Sequence, residues 1–190
     1  MARPSMSMLV DNDPFTGPSF PLSNRIRRAT WALVYALLFR PSPRPFHAWR
    51  ALLLRAFGAQ MGEGCHVYPR AKIWAPWNLR LGRFVGIADN VVLYNMDVIS
   101  IGDHAVVSQG AHLCGGTHDY NSRNFQLVAK PISIGARAWI CADAFIHPGI
   151  TISEGVVIGA RSVVHRNITE SWTGCAGHPC VKVGDRARLA

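Results

Sequence analysis

The side chain in this sequence with the greatest chemical capacity for its setting is His118. It lies in the run Gly115-Gly116-Thr117-His118-Asp119-Tyr120-Asn121, beside a carboxylate. An imidazole has an unperturbed pKa near neutrality, so it suits proton transfer to or from a reacting group. A lone histidine would read as an exposed turn residue. His118, however, opens a fifteen-residue interruption (119–133) of an otherwise regular pattern, and long loops in economical folds are usually functional. The five cysteines (65, 114, 141, 175 and 180) are odd in number and form no CxxC pair, which favours reduced thiols in a cytoplasmic protein over disulfide, redox or metal chemistry. Cys65, Cys114 and Cys141 read as small corner or core residues. Of the 20 basic residues 17 are Arg, which favours fork-shaped recognition of phosphate or carboxylate.

The elements that must position His118 show in the aliphatic residues, which recur every six positions. Met61, Val67, Ile73; Leu81, Ile87, Leu93; Ile101, Val107, Leu113; Ile134, Ile140, Ile146; and Ile152, Ile158, Val164 form fifteen such anchors. The fourth residue after the anchor is small in eleven units: Cys65, Ala71, Val85, Val91, Ala105, Ala111, Thr117, Ala138, Ala144, Val156 and Ser162. A helix repeats at 3.6 and a half-buried strand at 2, so a sustained six fits neither. It fits a parallel β-helix, an all-β fold in which each hexad makes a short strand and a corner, and three hexads make one coil. About five coils are expected, with the anchors on the axis and the small residues fitting a narrow lumen. Extra residues enter after the third hexad of three successive coils: two before Leu81, two before Ile101, and fifteen before Ile134. All three insertions therefore fall at one corner of the prism, and His118 with them.

At this point the sequence resembles a known family, the hexapeptide-repeat acyltransferases, and within it the sugar O-acetyltransferases of the colanic acid biosynthesis type. The matching segments are Leu38-Phe-Arg-Pro-Ser-Pro-Arg-Pro45, His47-Ala-Trp49, Ile73-Trp-Ala-Pro-Trp-Asn78, Leu93-Tyr-Asn95, Ser108-Gln-Gly110, Thr117-His-Asp-Tyr120, Ala138-Trp139 and Ala176-Gly-His-Pro179. The resemblance runs from about residue 20 to 184 and implies a left-handed parallel β-helix, a homotrimer, and direct acetyl transfer from acetyl-CoA to a sugar hydroxyl of a glycan or exopolysaccharide precursor. It implies that His118 takes the acceptor's proton, that Asn95 contacts the acceptor, and that acetyl-CoA lies in a groove between neighbouring subunits. Asp119 either orients the imidazole or solvates the loop. Trp139 and the backbone of Ala142 and Ala160 would line the pantetheine path. His165 and Arg166 would stand near the CoA phosphates, where a guanidinium fits well. Lys182 falls one position beyond the family's usual basic residue, a place held here by Val181. No metal is expected. Two other functions share the fold. A γ-carbonic-anhydrase-like zinc enzyme would need its later two histidines separated by four residues, whereas five separate His112 from His118. A non-catalytic scaffold would not need His118 or Trp139.

Charge divides the chain. The net charge is +9, and residues 1–60 hold eight Arg and two Asp, whereas residues 61–190 hold only +3. Residues 22–60 read as a basic helical arm after an extended or disordered 1–21. Ser23 is the expected N-cap of the first helix, Pro41, Pro43 and Pro45 form a stiff joint, and a second helix runs from Phe46 to Phe57 before Gly58. The arm is expected to cap the first coil of the β-helix (61–169) and to add a peripheral contact with an anionic membrane through residues 22–57. The last segment is 170–190. No helix-turn-helix, zinc or RNP signature accompanies the high pI of about 10.0, so nucleic acid is not an expected partner.

Overall fold

The computed structural model describes residues 13–188. Its body is a three-sided parallel β-helix. The first face carries strands Gln60–Met61, Leu79–Leu81, Ile99–Ile101, Ile132–Ile134 and Thr151–Ile152. The second carries His66–Val67, Gly86–Ile87, Val106–Val107, Trp139–Ile140, Val157–Ile158 and Thr173–Ala176, and is closed by Val181–Asp185 pairing antiparallel. The third carries Lys72–Ile73, Val92–Tyr94, His112–Cys114, Phe145–Ile146 and Val163–Val164. Five coils are complete. A sixth begins where Ile168 bridges to Ile152 and continues through Thr173–Ala176, so the stack runs past residue 169.

The hexad register explains the core. Val67, Ile87, Val107, Ile140 and Ile158 are direct partners from coil to coil, and none exposes any side-chain surface. Every other anchor is buried as well, apart from Met61 on the first rung. Each buried aliphatic contributes about 1.5–3 kcal/mol and touches its neighbours above and below, so stability propagates along the axis. Ten of the eleven small residues line the lumen. Thr117 does not: it is exposed, because the chain has already left the prism in a hairpin. Ile150, buried at the equivalent place one coil later, shows that the lumen also accepts a larger aliphatic. The corners depend on left-handed backbone, supplied at Phe84, Asn90, His104, Arg137, Asp143, Arg161 and Trp172 by residues other than glycine. At Gly155 only glycine fits. Its φ is +69°, and a Cβ there would lie 2.4 Å from the Trp172 ring.

The arm caps the first coil. Helix α1 is Leu22–Val34, continued by a wider turn through Phe39, and α2 is His47–Ala56. The expected N-cap at Ser23 is not used. Pro21, in extended backbone, is the residue that precedes the helix; no side chain caps it, and the Pro21 carbonyl accepts from Arg25 N–H at 3.1 Å. Trp31 packs against Phe39 and Phe57, with ring centroids 5.7 and 5.1 Å away, and its indole N–H donates to the Ile73 carbonyl at 2.7 Å. Arg50, completely buried, ties α2 to the prism and to the proline joint. Its Nε donates to Val67 O (2.6 Å), Nη1 to Pro43 O and Ser42 Oγ (both 2.8 Å), and Nη2 to Arg44 O (2.5 Å). Among the described residues no helix is long and apolar enough to cross a membrane.

Candidate functional site

Between strands His112–Cys114 and Ile132–Ile134 the chain leaves the corner joining the third face to the first. It forms an antiparallel hairpin, Gly116–His118 with Leu127–Ala129, in which His118 pairs with Leu127. The two glycines at its base have a steric reason. A Cβ on Gly115 would lie 2.7 Å from Tyr94 O, and one on Gly116 would lie 2.2 Å from Met96 Sδ, so the hairpin rests on the corner of the preceding coil. Gly115 N–H donates to Tyr94 O (2.8 Å) and Lys130 N–H to Gly115 O (2.9 Å), which fixes the exit and return of the loop.

His118 is exposed, and its Nδ1 lies 2.7 Å from Phe125 O. A carbonyl oxygen only accepts, so Nδ1 carries the proton of the neutral ring and Nε2 keeps its lone pair. The hairpin thus presents an oriented imidazole with a basic nitrogen free to receive a proton. Phe125 reaches this position through a left-handed backbone, φ 51°, in which its own N–H bonds to Ser122 O.

Asp119 does not orient the imidazole. Its Oδ1 accepts from Asn121 N–H (3.0 Å), its carbonyl from Ser122 Oγ (2.8 Å), and its N–H donates to Gln126 O (2.8 Å). The carboxylate builds a turn that returns the chain to Phe125, and the Phe125 carbonyl does the orienting. Ser122 Oγ also accepts from Gln126 N–H at 2.8 Å. Phe125 and Gln126 are therefore supports that residue types do not reveal, since they act through backbone groups, while Ser122 acts through its hydroxyl.

Asn95 also departs from expectation. The resemblance implies contact with the acceptor, but the side chain is completely buried within this chain. Its Oδ1 accepts from Ala75 N–H (3.0 Å) and its Nδ2 donates to Ala75 O (2.6 Å), one coil earlier. Two complementary hydrogen bonds to one residue hold the amide inside the corner, and its complete burial keeps it from a ligand at the surface. This clamp holds the Tyr94–Met96 corner on which Gly115 and Gly116 sit, so Asn95 supports the His118 hairpin from below. Asn95→Leu is expected to strand both Ala75 backbone groups, at about 1–3 kcal/mol for each unsatisfied polar group. A lowered unfolding temperature together with a fall in turnover, at unchanged Michaelis constant for the acyl donor, would check this.

The residues expected to meet the acyl donor lie elsewhere on the prism. Trp139 projects from the second face, 46% exposed, with its indole N–H donating to Ser108 Oγ at 2.8 Å. Ala142 and Ala160 occupy the corner joining the second face to the third, in successive coils; Arg161 N–H bonds to Ala142 O across them at 2.9 Å. His165 and Arg166 are exposed beyond the end of the third face, with the two rings of His165 and His147 6.5 Å apart. Lys182 does not join them. It lies on the closing strand of the second face, where its ammonium bonds to Glu170 Oε1 and, at 2.8 Å, to Asp185 Oδ1. These hydrogen bonds to two carboxylates push its pKa further above the ordinary lysine value. A phosphate would have to compete with both, so Lys182 is a hairpin tie in this chain. The structure thus stacks Ala142 and Ala160 at one corner, puts Trp139 on the adjoining second face, and places His118 across the third face from that corner.

His112, the partner that a zinc reading would need, lies on the outer surface of the third face with its ring edge-on to Phe145. Burial pushes its pKa below the ordinary value. Among the described residues no three His, Cys, Asp or Glu side chains gather in a way that could hold a metal ion.

No protein-family model matches the chain. The Escherichia coli K12 protein WcaF, named as a colanic acid biosynthesis acetyltransferase, is 42% identical over 179 residues, 94% of this chain and 98% of WcaF. Among solved structures, a galactoside acetyltransferase in complex with coenzyme A superposes with a TM-score of 0.80 at 24% identity, covering 88% of this chain and 84% of that one. A hexapeptide-repeat acetyltransferase of Vibrio cholerae gives the same TM-score and identity, covering 88% and 95%. The solved structures establish the coiled fold independently of sequence. The identity to WcaF, over 94% of the chain, establishes the family: the chain is an acyltransferase of the hexapeptide-repeat acetyltransferase family, of the colanic acid biosynthesis type.

Proposed function

We propose that this enzyme transfers an acetyl group directly from acetyl-CoA to a sugar hydroxyl of a glycan or exopolysaccharide precursor, with His118 Nε2 as the general base. The observation that carries this reading is the imidazole itself, exposed on its hairpin and fixed in the Nδ1–H tautomer by Phe125 O. The acceptor O–H proton passes to Nε2 as the oxygen forms its bond to the thioester carbonyl carbon. The carbon–sulfur bond then breaks, and the imidazolium returns its proton to the departing thiolate. No acyl-enzyme is formed. The buried Cys65 and Cys175 are not needed as nucleophiles, and burial pushes the Cys65, Cys141 and Cys180 thiols up, Cys180 to about 11.

Trp139, Ala142, Ala160, His165 and Arg166 would receive the CoA chain. Support for acetyl-CoA as donor comes from the Vibrio cholerae protein, which was also solved with acetyl coenzyme A, and support for a sugar acceptor from the names of the galactoside and colanic acid enzymes. The two halves of the site occupy different corners of one prism, on either side of the third face. His118 of one copy meets the donor corner of another only if subunits associate side by side, which supports the homotrimer implied by the family resemblance.

The test is release of free thiol from acetyl-CoA against a panel of free, nucleotide-linked and lipid-linked sugars. Acceptor-dependent release with acetate esterified to a hydroxyl is expected; release that ignores every sugar would refute the acceptor class. Trp139→Ala is expected to raise the Michaelis constant for acetyl-CoA about tenfold, equivalent to about 1.4 kcal/mol of binding, while leaving that for the sugar near its original value.

A further inference from the structure

The outer side of the arm is unlike that of an ordinary surface helix. Trp31 and Asn24 face the prism, and the opposite side of α1 and its continuation presents Leu22, Ile26, Leu33 and Leu37, which are 57–66% exposed. Their spacings of four, seven and four residues place them along one side of a helix. A helix of a water-facing domain carries polar residues there. The apolar surface continues into α2, where Trp49 and Leu52 are exposed and the Trp49 indole N–H donates to Leu38 O at 3.0 Å, joining the ends of the two helices.

Charge accompanies this surface. No Asp or Glu occurs between residues 14 and 60, and Arg25, Arg27, Arg40, Arg44 and Arg55 are exposed. Arg50 is consumed by the cap, Arg44 pairs with Asp89 at 3.3 Å and Arg55 donates to the Met61 and Gly62 carbonyls, while the Arg25 and Arg40 guanidinia carry no carboxylate partner among the described residues. A groove of about 720 Å³ lies between α1 and the third face, with Trp31, Tyr35, Trp74 and Tyr94 in its lining and Arg25, Arg28 and Lys72 among its members. An apolar channel provided with cations is complementary to a molecule with a hydrocarbon chain and an anionic head.

We propose that the arm docks on an anionic lipid surface, with Leu22, Ile26, Leu33 and Leu37 entering the boundary between headgroups and acyl chains and the exposed Arg side chains meeting lipid phosphates. An interfacial helix needs both an apolar strip and flanking cations, and α1 has both. A second copy of the chain would satisfy the leucines, but it would bring the same unbalanced Arg cluster against them. The charge therefore selects the lipid. Docking would bring the His118 hairpin close to the surface as well, because Tyr94 in the groove approaches within 3.0 Å of where a Gly116 Cβ would stand.

The experiment is co-sedimentation of the full chain with vesicles of phosphatidylcholine alone and of phosphatidylcholine with phosphatidylglycerol, at low and high salt. Binding only to the anionic vesicles, weakened by salt, is expected. Replacing Ile26, Leu33 and Leu37 together by Glu should abolish it. Arg25→Glu with Arg40→Glu should weaken it more than twentyfold, taking about fivefold for each basic side chain removed near a surface. Thiol release with a soluble acceptor should be the same for wild type and both variants, which separates docking from catalysis. Absence of binding to anionic vesicles, equal binding by the triple variant, or a change in oligomeric size on light scattering confined to the triple variant would each overturn the proposal.

Discussion

His118→Ala is expected to lower turnover by about 10²–10⁴-fold, the usual contribution of a positioned general base. The Michaelis constant for acetyl-CoA should change little, because the residues proposed to receive the donor, Trp139 on the second face and Ala142 and Ala160 at the corner beyond it, stand away from the His118 hairpin. The unfolding temperature should also hold. His118 is exposed, and the hairpin is closed by Asp119, Ser122 and Gln126 rather than by the imidazole alone. His118→Gln is a stricter comparison. Its amide can replace the hydrogen bond to Phe125 O but has no nitrogen able to take a proton, so it should be as slow as alanine. Incubation with acetyl-CoA and no acceptor should leave the mass of the protein unchanged, since direct transfer has no acetylated enzyme. Equal turnover by wild type and His118→Ala would remove His118 from the mechanism; an acetylated cysteine would replace direct transfer by a two-step route.

The largest effect on stability should come from Arg50→Met. The guanidinium is completely buried and holds the carbonyls of Val67, Pro43 and Arg44 as well as Ser42 Oγ, with hydrogen bonds of 2.5–2.8 Å. Methionine fills part of the volume but leaves these acceptors without a donor in a place water does not easily reach. With about 1–3 kcal/mol for each stranded group, a loss of about 3–5 kcal/mol is expected, incomplete additivity included. Arg50→Lys should recover only part of it, because an ammonium on a flexible stem cannot serve Val67 O and the proline joint together. The lesion is at the capped end, so proteolysis should cut first near residues 40–46, while the later coils, which touch only their neighbours, remain folded longer. An unfolding curve for Arg50→Met that coincides with wild type would show that the cap does not depend on this residue.

Arg50 also shows how the same residue type can be read two ways. In the sequence it is one of seven Arg between residues 14 and 60, and nothing in its position sets it apart from the other six. Folded, it faces inward. Arg27 and Arg28 stack on Trp77 and Trp74, with the guanidinium carbon 4.2 and 4.4 Å from the ring centroids. The stretch Pro41–Pro45 gives no warning of this, since the acceptors that bind Arg50 are backbone carbonyls, which every residue has.

Asn95 and Asp119 follow the same rule. Each is a polar residue near the corner where the chemistry is expected, and each spends its hydrogen bonds on backbone: Asn95 on Ala75, Asp119 on Asn121. Spacing sets the face and the coil of a residue. Packing decides whether its amide turns outward or, as at Asn95, inward to a peptide group 20 residues away. Lys182 is legible in the sequence only as a cation, and the two carboxylates that bind it come from Glu170 and Asp185, whose approach depends on the closing hairpin.

The hexad repeat by itself determined the coiled prism, its three faces, its anchor columns and the corner where the long loop emerges. Those follow from periodicity, because each coil repeats the steric problem of the last and has the same local solution. It also determined that His118 lies at that corner, although the chain leaves the prism earlier, at Gly115 and Gly116. Only the tertiary structure decided the tautomer of the His118 ring and what surrounds it. The Nδ1–H tautomer, the Gly115–Gly116 seat, the inward turn of Arg50 and Asn95, and the apolar outer side of α1 all arise where segments without the repeat meet segments that have it. Such contacts are made once in the molecule, between backbone groups and side chains brought together by folding, and no period in the sequence records them.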